Sequence, residues 1–191
     1  MELQCPHNSC TIVGMDGRVQ YFWASTNGLG SYYNYSGPGA LYYSADQAGL
    51  AALNYIKDRG LMSPYWDYNT NQLGTMEPGG KVYGDQNGVY SFSEPNQGDF
   101  CADGSAFCRV DIRLATVPGG ATIVGMYHAH SDWWIYDPGG FSAEDFYAAE
   151  RGAFGYPVSS YLLTLEGAMA VFDLSLQAPH IFVFPGPPLI H

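Results

Sequence analysis

The sequence predicts a globular, loop-rich α/β or β-rich fold, and three observations carry that prediction. One is a well-signalled helix, SADQAGLAALNYIKDRG, at Ser44–Gly60. Another is the run of short β-type segments on either side of it, separated by turns rich in Gly and Pro. The third is composition. In 191 residues, 47% are hydrophobic and 16% aromatic but only 13% charged, which suits a packed core and not a disordered chain.

Each element follows in order. TIVGMDGRVQYFWA (Thr11–Ala24) reads as a hairpin around Asp16-Gly17, a two-residue turn signal. Ser25–Tyr43 is rich in Gly, Ser and Tyr without a period and reads as a loop. Residues 1–40 are therefore expected to be an N-terminal extension of hairpin and Gly/Tyr-rich loop, with the main domain at 41–191. In the helix, Ser44 can cap and Gln47 completes a capping box, Gly60 closes the end, and Ala48, Ala52, Leu53 and Ile56 form the apolar stripe. Glu77–Pro95 reads as a second hairpin turning at Asp85–Gly88. Val110–Thr116 and Ala121–His128 read as strands, Ser142–Gly152 as a short helix capped by Ser142. Val158–Leu165, Ala168–Asp173 and His180–Pro185 read as closing strands, and the last residues as a frayed tail.

Charge excludes some partners. The net charge is −11, with only seven Lys and Arg, so the chain is poorly equipped to neutralise phosphates and no nucleic acid is expected. An acidic surface suits a basic protein partner. No apolar run approaches the roughly 20 residues of a membrane helix, and MELQCPHNSC lacks the basic and apolar regions of a signal peptide. Cys5/Cys10 and Cys101/Cys108 are separated by spacers of four and six residues, not by the two of a zinc knuckle. Two local disulfides and an oxidising destination are the leading expectation, with reduced thiols or a structural zinc as alternatives.

The chemistry concentrates in GMYHAHSDWWIYDPGGFSAED, Gly125–Asp145. On a strand, residues i and i+2 share a face, so His128 and His130 project together and make half of a metal site. Asp145, in the first turn of the following helix, can swing back as a third ligand, where the helix dipole also favours a carboxylate. Ser142 and Asp145 read equally as an ordinary capping box. His7, His180 and His191 read as structural or surface residues.

This combination resembles the JAMM (JAB1/MPN/Mov34) metalloprotease superfamily, whose pattern is an upstream Glu, H-x-H, a spacer and S-x-x-D. Here these are Glu77 in MEPGGKVYG, His128-Ala129-His130 and Ser142-Ala143-Glu144-Asp145. The match covers about Leu41 to Asp173 and is closest to a bacterial JAB-like branch found at the C-terminal ends of Rhs-type polymorphic toxins. Two departures are an 11-residue spacer from His130 to Ser142, slightly long, and Ser131 where the eukaryotic isopeptidases usually carry proline. The resemblance implies a JAMM/cytidine-deaminase-like sheet flanked by helices in a single domain. It also implies Zn2+ on His128, His130 and Asp145, Glu77 as general base and Ser142 as oxyanion donor. The implied activity is hydrolysis of peptide or isopeptide bonds in a protein or peptide substrate. The implied setting is a secreted or delivered effector, with a cognate immunity protein as its partner.

Other readings exist. HAHSD also opens the H-x-H-x-D motif of metallo-β-lactamase-type hydrolases and nucleases, with Asp132 as ligand, but Trp133 stands where that motif ends in His. A JAMM-like module without catalysis, binding a partner through the aromatic loop Trp133–Tyr136, is the non-enzyme alternative.

Overall fold

A computed structural model describes residues 2–4, 9–13, 19–23, 37–102, 108–130, 140–164, 167–174 and 180–184. The chain forms two compact units, Met1–Tyr35 and Ser36–His191. The first holds an antiparallel three-stranded sheet, β1 (Glu2–Gln4), β2 (Ser9–Val13) and β3 (Val19–Trp23), in that order. The expected hairpin is its β2–β3 pair, with Val13 opposite Val19. Its Asp16-Gly17 turn lies outside the described residues.

The second unit is mixed α/β. Helix α1 spans Ala45–Asp58. Ser44 Oγ accepts from Gln47 N–H at 3.1 Å, while Gln47 Oε1 accepts from Tyr43 N–H at 3.1 Å, one residue earlier than a standard capping box. At the far end Gly60 takes φ +62° and Leu61 N–H reaches back to Ile56 C=O at 3.1 Å, a left-handed closure that glycine makes without strain. The expected stripe of Ala48, Ala52, Leu53 and Ile56 is fully buried.

Eight strands form its sheet: β4 (Tyr65–Asp67), β5 (Gln72–Gly84), β6 (Tyr90–Phe92), β7 (Asn96–Ala102), β8 (Thr122–Ala129), β9 (Ser159–Leu163), β10 (Met169–Asp173) and β11 (His180–Phe184). The main path is β11-β10-β9-β8-β5-β4. β6 and β7 pair with β5 on the edge away from β8, since Val82 opposes both Phe92 and Gly125. Of the described pairings only β8–β9 is parallel. The β5–β6 turn is tied by Asp85, whose carboxylate accepts from Asn87 and Val89 N–H at 2.8 and 3.0 Å.

Strand alternation gives the sheet two faces. α1 covers one, packing on Val82, Phe92, Tyr127, Tyr161, Leu163 and Val171. Tyr161 lies so close under the helix that a Cβ on Gly49 would sit 2.6 Å from its ring. Opposite, Met126, Leu162, Ala170 and Phe172 pack under helix α2 (Ala143–Tyr147) and the π-helical turn Ala148–Gly152 that continues it.

Two sequence expectations need correction. Val110–Thr116 is not a strand: its centre is a 3-10 turn at Ile112–Leu114, because the Asp111 carboxylate accepts from Arg113 N–H at 3.0 Å and bends the chain. The α-helical part of Ser142–Gly152 ends at Tyr147, and the remainder is the π turn. Among the described residues no helix is long and apolar enough to cross a membrane. Cys101 and Cys108 form a disulfide with Cα atoms 5.6 Å apart. The expected Cys5–Cys10 pair involves Cys5, outside the described residues.

Candidate metal centre

β8 sits between β5 and β9 at the centre of the sheet and carries the first two site residues. His128 opposes Gly79 on β5 and Leu162 on β9. His130, one residue past the strand, extends the ladder by donating its N–H to Leu163 C=O at 3.0 Å. Both imidazoles therefore point to the α2 face, as Met126 does. Glycine at 79 is what allows the approach here: a Cβ would lie 3.0 Å from His128 Cβ and 3.1 Å from Ile112 Cγ2. His128 is buried at 5% exposure, with the Phe141 ring packed against its own at 6.4 Å.

The third residue arrives through a helix cap. Ser142 is the N-cap of α2 and Asp145 its third residue, and both arms of the capping box form. Ser142 Oγ accepts from Asp145 N–H at 3.2 Å, and Asp145 Oδ2 accepts from Ser142 N–H at 2.7 Å and from the Ser142 hydroxyl at 2.9 Å. This double hold turns the carboxylate toward β8. His128 Nε2 lies 3.1 Å from Asp145 Oδ1, His130 Nε2 3.2 Å from Asp145 Oδ2, and the two Nε2 atoms are 3.2 Å apart.

Burial alone would raise the Asp145 pKa. The His128 imidazole and the hydrogen bonds from both histidines win, and hold the carboxyl far below its ordinary range. The same triangle suits a cation. Donors bound tetrahedrally at about 2.0–2.2 Å stand roughly 3.3–3.6 Å from one another, close to the 3.2 Å between the two Nε2 atoms and the 3.1–3.2 Å from each to its own Asp145 oxygen. These three are the group of His, Cys, Asp and Glu found among the described residues with ligand atoms close enough to hold a metal.

Glu77 reaches the site from β5. It falls where the β5–β7 register slips between Met76 and Pro78, a bulge that also accommodates a proline inside the strand. Glu77 is buried at 5% exposure, and it lines a cleft of about 1100 Å³ together with His128, His130, Ser142 and Asp145. The structure thus brings all five sequence-predicted site residues to one cleft.

Sequence reasoning missed the cleft's other walls, Asn96–Asp99, Arg109–Leu114 and Tyr147. Asn96–Asp99 has no apolar alternation, and the alternating Val110-Asp111-Ile112-Arg113-Leu114 pointed to a strand. The aromatic loop Trp133–Tyr136, Ser131 and the alternative ligand Asp132 lie outside the described residues, as do His7 and His191. Of His180 only the backbone, in β11, is described.

Compared with known proteins, the chain matches no family model, no curated protein and no solved structure.

Proposed function

We propose that this chain is a zinc-dependent hydrolase of peptide or isopeptide bonds with a JAMM-like arrangement, acting as a secreted or delivered bacterial effector. The observation that carries the reading is the cluster of His128 Nε2 and His130 Nε2, 3.2 Å apart, each 3.1–3.2 Å from its own oxygen of the Asp145 carboxylate, on the wall of an open cleft. Three protein donors are the count of catalytic zinc sites, where structural sites take four. The Cys101–Cys108 disulfide fits an oxidising destination.

A zinc ion on these residues supplies a Lewis acid that brings the pKa of water toward about 7. The chain's own groups do the rest. Glu77, buried in the cleft wall without being one of the three donors, takes a proton from the attacking water and returns it to the leaving amine. The Ser142 hydroxyl has one proton and gives it to Asp145 Oδ2. Turning it toward a developing oxyanion leaves that carboxylate oxygen still held by Ser142 N–H at 2.7 Å. Ser142 can therefore change partners while Asp145 stays in place.

Elemental analysis and a growth-inhibition assay on induced expression test the reading together. Wild type should carry about one zinc, and His128→Ala and Asp145→Ala essentially none. Glu77→Gln should keep the zinc but lose activity by roughly 10²–10⁴-fold. Equal zinc in all the proteins sinks the metal site. A fully active Glu77→Gln sinks the catalytic assignment and favours the binding-module alternative.

A further inference from the structure

We propose that the cleft contains a subsite for a large, uncharged apolar side chain of the peptide, walled by Leu114 and Tyr147 beside the metal centre. The proposal rests on reading the cleft as a peptide-binding site. Exposed apolar residues scattered singly over a surface need no explanation. These two differ by position. Leu114 is 66% and Tyr147 64% exposed, and among the exposed large hydrophobics of the described residues only they line the cleft.

Both are held where they stand. Leu114 ends the 3-10 turn whose first residue, Ile112, seats its Cγ2 over Gly79 next to His128. The Asp111 carboxylate fixes that turn through Arg113, accepting from its Nε and Nη2 at 2.8 and 2.9 Å. Tyr147 lies two residues beyond Asp145 at the end of α2, with its ring edge against Gly152 so that a Cβ there would be 3.2 Å from Cε1. Each apolar group is therefore two residues from one that touches the metal triangle or packs beside it.

The cleft is also lined by Met126 and Phe141, both buried, and the Phe141 ring packs on that of His128. Asn96, Gln97 and Asp99 also line the cleft and bring polar groups to it, next to the Arg109–Leu114 segment, where Asp99 N–H donates to Arg109 C=O at 3.1 Å. An extended peptide laid in the cleft can thus meet apolar surface with a bulky side chain and polar groups with its backbone amides.

Charge excludes one kind of side chain, and the two exposed apolar groups select among the rest. Glu77, Asp99, Asp111, Glu144 and Asp145 line the cleft against Arg109 and Arg113, and Asp111 already engages Arg113. An acidic side chain meets a surplus of carboxylates there, whereas an aromatic or branched aliphatic one meets matching surface.

The test uses the full chain equilibrated with zinc, its zinc content measured in parallel, and two uncharged probes, N-acetyl-phenylalaninamide and N-acetyl-alaninamide. Backbone amide shifts are followed by NMR through each titration. The phenylalanine probe should move the amides of Leu114 and Tyr147 and half-saturate at a concentration roughly ten- to a hundredfold lower than the alanine probe. Leu114→Ser and Tyr147→Ser, both at exposed positions, should each shrink that preference without changing zinc content. Equal half-saturation, shifts confined to other parts of the molecule, no binding of either probe, or a preference that survives both variants would overturn the subsite. Zinc uptake without a preference leaves the hydrolase reading standing and removes the subsite. A preference in a protein that takes up no zinc does the opposite.

Discussion

The two faces of the main sheet are made from the same strands and do different things. β8 gives Tyr127 and Ala129 to one face and Met126 and His128 to the other. On the first face a 14-residue helix lies across the strands, and two buried tyrosine hydroxyls there are tied down. Tyr127 Oη donates to Ser93 C=O at 2.6 Å, and Tyr161 Oη donates to Asp46 Oδ1 at 2.8 Å. On the second face the covering helix is five residues long before it passes into the π turn, and the centre of the sheet opens into the cleft. The difference in cover, more than any difference in the strands, separates a filled face from one that keeps a cleft beside His128.

That contrast makes separable predictions. Leu53→Ala on the covered face removes a fully buried side chain and should cost about 2–5 kcal/mol, seen as a fall in Tm. The folded protein should still bind its full zinc complement. Loss of zinc per folded molecule would show that the faces are coupled. Ser142→Ala on the open face should cost less, about 0.5–2 kcal/mol as a lost N-cap. It also removes one of the bonds that aim Asp145, so zinc affinity in a chelator competition should fall by roughly 10–100-fold. Unchanged affinity would mean that the backbone N–H of Ser142 positions the carboxylate alone. The smallest effect belongs to Glu144→Gln. This exposed neighbour of Asp145 is not one of the three donors, so stability should move by no more than about 0.5 kcal/mol and zinc binding not at all. A large loss of zinc would extend the site by one carboxylate.

What could be read from the sequence follows the range of the interactions. α1 carries its own start, stop and stripe, and all three were legible. His128, His130 and Asp145 lie within one strand and the next helix cap, so local geometry was enough to group them. Glu77 has no local signal. Its place comes from long-range pairing of β5 with β8 and from the bulge at Met76–Pro78, and only the family resemblance pointed to it. The glycines of Glu77-Pro78-Gly79-Gly80 acquire their reason in the same way: a Cβ on Gly80 would meet Tyr127 Oη at 2.5 Å, as one on Gly79 would crowd His128. β7, with Asn96-Gln97-Gly98-Asp99 in its first half, has no apolar period to announce it, because one of its sides faces the cleft. In Val110–Thr116 a period of two was present but overruled by one Asp111 hydrogen bond.

The parallel pairing of β8 with β9 has a consequence for the order in which the chain acquires its parts. A parallel pair cannot close through a tight turn; Gly125 meets Ser159 only after the whole connection that contains α2 has been threaded back. Helix α1 and the β5–β6 hairpin are local and can form on a microsecond scale, whereas pairings between distant segments wait on slower chain searches. His130 is held by Leu163, at the end of that late pairing, and Asp145 sits in the connection itself. The metal triangle is therefore among the last features assembled, and a chain able to hold a cation there has already finished folding at the sheet's centre. A chain whose sheet centre is still unpaired therefore does not present His128, His130 and Asp145 together.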